Sequence, residues 1–223
     1  MLQATRTLIG QAVPSSAKGR GRESGMGSRR RWTIAGLAAA GLLVAGCGDV
    51  APGAAAVVGD DRISERQLTE QVEQVLEAQG RPTDTSSEAL VVTTLDRMIT
   101  TSLIEQLAER EGVEVTQGEL DATLANYAEA SGGQEAFEQT LLQQDLAPDD
   151  IPEIIRVNIL AQKLSFVLDP QGSPETQSAA IFTAVTEFSE EVGTEVSPRY
   201  GTWDALNLAV AATADDLSTP ATP

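Results

Sequence analysis

The stretch Leu95-Asp96-Arg97-Met98-Ile99-Thr100-Thr101-Ser102-Leu103-Ile104-Glu105-Gln106-Leu107-Ala108-Glu109-Arg110-Glu111-Gly112-Val113-Glu114-Val115-Thr116-Gln117-Gly118-Glu119-Leu120-Asp121 decides the fold class. With Val91 just upstream, Leu95, Met98, Ile99, Leu103 and Leu107 recur in steps of three and four, the spacing of one helical face, and the stripe ends near Gly112. Val115-Thr116-Gln117-Gly118-Glu119-Leu120 then supplies a Thr N-cap, a Glu at the third helical position and an apolar residue on either side. That is a capping box with a hydrophobic staple, which marks a new helix start. The stretch predicts a long helix, a short turn and a second helix.

The same grammar recurs on both sides. Ile63-Ser64-Glu65-Arg66-Gln67-Leu68 repeats box and staple with Ser and Gln, and Ser173-Pro174-Glu175 offers a Ser cap with proline in the first helical position. Leu146 and Ile151 flank a weaker start, which Pro152 shifts by a turn. Between these starts run further stripes: Leu68, Val72, Val75 and Leu76; Leu120, Leu124 and Tyr127, up to the Ser131-Gly132-Gly133 break; Phe137, Leu141 and Leu142. Ile151, Ile154, Ile155, Ile159, Leu164 and Phe166 form the next, stopped before Pro170; Ile181, Val185, Phe188 and Val192 form the last. Packing of helix on helix explains most of these stripes. Ahead of them, Ala56-Val57-Val58, Gly59-Asp60-Asp61 and Arg62-Ile63 predict a strand, a tight turn and a second strand. Behind them, Val196 to Asp204 is extended around Pro198 and carries Tyr200 and Trp203, either a partner-contact patch or, as we prefer, a cover over the core. The fold class is therefore mainly α, an irregular multi-helix domain preceded by a small β-element.

Composition narrows the chemistry. The 223 residues contain no histidine, one cysteine and 4% aromatics, so the core is aliphatic. Without histidine there is no Ser-His-Asp triad and no imidazole metal site, and one cysteine forms no internal disulfide. The net charge of −18 argues against nucleic acid, whose phosphates need clustered Lys and Arg. Acid pairs at Asp60-Asp61, Asp149-Asp150, Glu190-Glu191 and Asp215-Asp216 are adjacent in sequence, and on a helix adjacent side chains point about 100° apart, unsuited to shared proton or metal work. No dinucleotide, P-loop or EF-hand spacing occurs. The expectation is no enzyme, no cofactor and no metal.

The charge is unevenly placed. Residues 1–46 hold seven bases and one acid, leaving eight bases and thirty-two acids for residues 47–223. A basic leader before an acidic body suggests a targeting segment. Ser28-Arg29-Arg30-Arg31-Trp32 is a positive region, followed by the twelve apolar residues Ile34 to Ala45. Such a run spans roughly 18 Å as a helix, short of a ~30 Å hydrocarbon core, so it reads as the core of a signal peptide. Leu43-Val44-Ala45-Gly46-Cys47 resembles the bacterial lipobox, which implies cleavage between Gly46 and Cys47 and a diacylglyceryl thioether on Cys47. A buried inert cysteine, or later cleavage near Ala54-Ala55-Ala56, are the competing readings. The three arginines also resemble a twin-arginine signal, leaving the export route open between that and the general secretory one. The expected layout is 1–25 a disordered lead-in or over-extended gene start (with Met26 the true start), 26–46 signal peptide, and 47–55 lipidated cysteine and tether. The helical domain follows over 56–201, and 202–223 is a mostly disordered tail, chiefly Ala, Thr, Asp, Ser and Pro beyond Val210.

The order of parts resembles the N-terminal domain of the SurA/PrsA-type foldases. Ala56 to Ser64, the helix with Gln67-Leu68-Thr69-Glu70-Gln71, the 95–121 block, Gly132-Gly133 with Phe137, and the stretch 155–164 carry the likeness, over roughly 55–200. The resemblance implies an all-helical chaperone domain for unfolded or partly folded exported chains, in which a late segment pairs with the first strand; Glu195 to Gly201 is the candidate. Such foldases often insert a parvulin prolyl-isomerase domain of about 90 residues, but only 29 residues separate Leu168 from Pro198, and one predicted helix uses most of them. Two functions remain open. One is a membrane-anchored, ATP-independent chaperone outside the cytoplasmic membrane, holding clients through Met98, Tyr127, Phe137 and Leu141. The other is an adaptor lipoprotein that recruits one envelope partner. Dispersed apolar contacts suit the first because they tolerate many client sequences. The acidic surface keeps the domain soluble and off anionic headgroups.

Overall fold

Five small and β-branched residues, Ala54–Val58, make β1 of the computed structural model, which describes residues 52–212. β1 turns at Gly59 into β2, Asp61–Ser64, and the two pair antiparallel with Val58 opposite Asp61 and Ala56 opposite Ile63. Ser64 ends β2 and caps α1, Glu65–Ala78: its hydroxyl accepts the Gln67 N–H while Gln67 accepts the Ser64 N–H, the expected reciprocal box. Leu68, Val72, Val75 and Leu76 are the buried residues of this helix, the stripe the sequence predicts.

α2, Glu88–Glu111, is the central helix, with Leu95, Ile99, Leu103 and Leu107 fully buried. It ends at Gly112, whose φ of 67° lets the Val113 N–H reach the Ala108 carbonyl at 2.8 Å and turn the chain. α3, Gln117–Ala130, starts with the Thr116–Glu119 box, and α4, Gln134–Leu142, follows the Gly132-Gly133 break. A single 3-10 turn at Pro148–Asp150 leads into α5, Ile151–Leu168, so Pro152 falls in its first turn. α6, Pro174–Val192, is capped by Ser173.

The late strand is β3, Thr194–Val196, antiparallel to β1 with Val196 opposite Ala56, so the sheet order is β2-β1-β3. It begins one residue before the expected Glu195–Gly201 segment and ends sooner, because the Tyr200 N–H donates to the Ser197 carbonyl and bends the chain. The likeness to a mainly helical domain with a small terminal sheet holds, and α6 and β3 fill the interval where a parvulin domain would be inserted.

Past residue 201 the structure departs from the expected tail. β4, Thr202–Asp204, and β5, Ala209–Ala211, form a hairpin held from outside its own sequence. The Trp203 indole N–H donates to the buried Ser189 hydroxyl at 2.7 Å, and the Val210 N–H donates to Asp96 at 2.6 Å. Trp203 and Tyr200 pack on the core, as a cover would. β1 likewise begins within the expected tether, at Ala54. The signal segment, Gly46, Cys47 and residues 213–223 lie outside the described residues.

Burial pushes the Asp96 carboxyl above the usual carboxylate range, partly offset by the Val210 N–H. A raised folded pKa gives stability that is complete below the unfolded pKa and is lost as pH rises through the folded one, so the charge at neutral pH is held at a cost. Asp96→Asn keeps the acceptor and drops the charge. Its denaturant midpoint is expected at or above wild type at pH 7, the gap closing in acid. Asp96→Ala, leaving the amide unpaired, is expected to cost about 1–3 kcal/mol.

Two apolar clusters result. The larger joins β1, α1, α2, the end of α5, α6, β3 and β5; the smaller lies under α3 and α4 against α5, with Leu120, Phe137, Ile151, Ile155 and Ile159.

Candidate functional site

Helical spacing puts Ile155, Ile159, Gln162 and Phe166 on one face of α5, in steps of four, three and four. α3 covers the first half of that face, where Ile155 and Ile159 are buried in the smaller cluster. Towards the end of α5 nothing among the described residues covers it: Phe166 is 60% exposed and Val167 48%. The face therefore opens into two adjoining hollows. One of about 590 Å³ is lined by Tyr127, Ile155, Ile159, Glu119 and Lys163, and the other of about 670 Å³ by Val113, Phe166, Val167 and Gln177. Gln162 and Lys163 line both, so together they make one groove.

Lys163 forms the bar between the halves. Its ammonium donates to Glu119 at 2.7 Å and to the Glu114 carbonyl at 2.7 Å. The second Glu119 oxygen accepts the Thr116 N–H at 2.8 Å, so a residue that the sequence marks only as a helix cap also pins α3 to α5. The Lys163 hydrogen bond, with those from Thr116, holds the Glu119 carboxyl down at about 2, against an ordinary 4.5. A depressed carboxyl gives stability present above its unfolded pKa and lost as pH falls through the folded value. The α3–α5 tie is thus expected to weaken between pH 4.5 and about 2, and Lys163→Met to move the Glu119 carboxyl resonance midpoint upward in an NMR titration.

Of the four candidate contact residues, three come together and one does not. Tyr127 is 45% exposed and stacks on Phe137 with ring centroids 5.7 Å apart, and Leu141 packs beside them. Phe137 itself is only 5% exposed, a core residue whose ring supports Tyr127. Met98 lies apart, packed on the larger cluster and lining a cleft of about 210 Å³ crossed by the Arg97–Asp150 ion pair, with Gln71 bonded to both partners. Phe166, which the stripe assigns to the core, and Val167, which no stripe includes, line the open groove. Phe166-Val167-Leu168, three apolar residues in a row at a helix end, is the signal that could have found them. Among the described residues no group of three His, Cys, Asp or Glu side chains could hold a metal ion, and no helix is long and apolar enough to cross a membrane.

The sequence model of the SurA-like N-terminal domain matches residues 28–165, more than half of the chain. The chain belongs to that family. No curated protein and no solved structure matches it. As a SurA-like domain it falls in a group related to chaperones and foldases, and the match runs from the basic segment before Ile34 to the last turn of α5. α6 and the three late strands lie beyond the matched part of this SurA-like chain.

Proposed function

We propose that this SurA-like chain is an extracytoplasmic holding chaperone, anchored in the membrane through a lipidated Cys47, that shelters unfolded or partly folded exported polypeptides without ATP, isomerase or other enzymatic activity. The observation that carries the reading is the uncovered apolar face at the end of α5, with Phe166 and Val167 continuing a groove that starts at Tyr127. Clustered exposed apolar side chains mark binding surfaces on soluble domains. The basic leader, the apolar run and the small residues before Cys47 support the anchor.

Suppression of the aggregation of an unrelated unfolded protein tests it. The purified chain is expected to suppress, and Phe166→Ser with Val167→Ser to lose most of the effect while keeping the wild-type melting temperature, since both side chains are exposed. No suppression at several-fold molar excess, with a single envelope protein co-purifying, would replace the chaperone with the adaptor.

A further inference from the structure

The groove carries more information than that it is apolar. Its two halves sit at fixed positions along one helix, and the charges beside them that have no ion pair among the described residues, Glu109 and Glu114, are carboxylates. Ile159 and Phe166 are about 10 Å apart along α5, and Ile155 and Phe166 about 16 Å. An extended chain covers those spans in roughly three to five residues.

All eight basic side chains of residues 52–212 already have acceptors. Arg66, Arg97, Arg110, Arg156, Lys163 and Arg199 are ion-paired, Arg62 donates to the Pro52 carbonyl, and Arg81 to Gln79 and the Thr85 carbonyl. The carboxylates outnumber them, and Glu109 and Glu114, which line the adjoining hollow beside Val113, have no ion pair among the described residues. An anionic segment reaching the groove finds its cation, Lys163, held by Glu119; a cationic one finds spare carboxylates.

Building on the chaperone reading, we infer that the α3–α5 groove selects extended polypeptide segments that are net positive and carry two apolar side chains three to five residues apart. One apolar side chain sits beside Tyr127 and Ile159, the other against Phe166 and Val167, and the chain between them crosses the Lys163–Glu119 bar. The surrounding field speeds the encounter, and the two hollows set the register.

Fluorescence anisotropy with short synthetic peptides tests this on the purified chain. Each peptide has two phenylalanines with three residues between them, and the remaining positions are serine with either lysine or glutamate; a third, lysine-bearing, has one phenylalanine. The cationic two-anchor peptide is expected to bind about tenfold tighter than the anionic one at low ionic strength, the gap shrinking as salt screens the field. Phe166→Ser is expected to reduce its binding to that of the one-anchor peptide. Equal binding of cationic and anionic peptides, or of one-anchor and two-anchor peptides, overturns the selectivity, and binding indifferent to Phe166→Ser overturns the site. In each of those cases aggregation suppression measured on the same sample shows separately whether the chaperone reading stands.

Discussion

A chain cut after Leu168 is expected not to fold cooperatively, even though it contains every residue matched by the family model within the described region. The cut removes Val185, Phe188, Val196 and Val210 from the larger cluster, where each is less than a tenth exposed. It also removes β3 from its pairing with β1, and with α6 the helix that packs on α2 and α5. Truncating one large buried side chain costs about 2–5 kcal/mol. Losing four, with a strand, is on the scale of the ~5–15 kcal/mol that holds a typical domain together. Differential scanning calorimetry is expected to show no sharp transition for residues 48–168 and a normal one for residues 48–212. A sharp transition for the shorter chain would mean that α6 and the late strands are accessories.

Cys47→Ser is expected to have the largest effect in the cell. On the proposed reading the mature protein keeps to the membrane by acyl chains on and beside that sulfur, each buried methylene adding about 0.8 kcal/mol, and two chains suffice for stable anchoring where one does not. The hydroxyl of serine cannot form the thioether. Fractionation is expected to move the protein from the membrane pellet to the supernatant or to leave the uncleaved precursor, and intact-mass measurement of the wild type to show the acyl groups. Wild type of unmodified full-length mass would refute the anchor. The aggregation assay in vitro is expected to be unchanged by the substitution.

Gly201 offers a smaller test of the late hairpin. Its φ of 138° is unfavourable for other residues, and an added Cβ would press on the Ala211 carbonyl and the Val210 side chain. Gly201→Ala is expected to cost about 1–3 kcal/mol, seen as a lower denaturant midpoint with Trp203 fluorescence changing first.

What the sequence makes legible here is local. Capping boxes at Ser64 and Thr116 and the Ser173 cap report hydrogen bonds closed within three residues, and all three helices begin where those residues stand. The α1 and α2 stripes are legible for a similar reason: periodicity says which face of a helix is apolar. It does not say how far the covering partner extends. Phe166 continues the Ile155–Ile159 face faithfully, yet α3 does not reach it, so the same pattern that buries Ile159 exposes Phe166. The β4–β5 hairpin is illegible for the opposite reason. Its Asp, Ala and Asn residues disfavour strands, and it is held by Asp96, 114 residues from Val210 in sequence, and by Ser189. The cap of α2, Ser87 accepting the Leu90 N–H, lacks the Glu or Gln partner that announces the Ser64 and Thr116 caps and the proline that announces the Ser173 cap. Glu119 was readable as a cap, but its bond to Lys163 spans 44 residues and has no sequence mark.

β1 sits between two antiparallel neighbours, and the Cys47 that the proposed reading tethers to the membrane precedes it by seven residues in the sequence. Force applied along that tether runs parallel to the strand and across its ladder bonds, so the bonds to β2 and β3 share the load in shear and do not peel apart one at a time. On the proposed reading, the anchor would then pull on a strand held on both edges, an arrangement suited to a body that must stay folded while a client tugs on it.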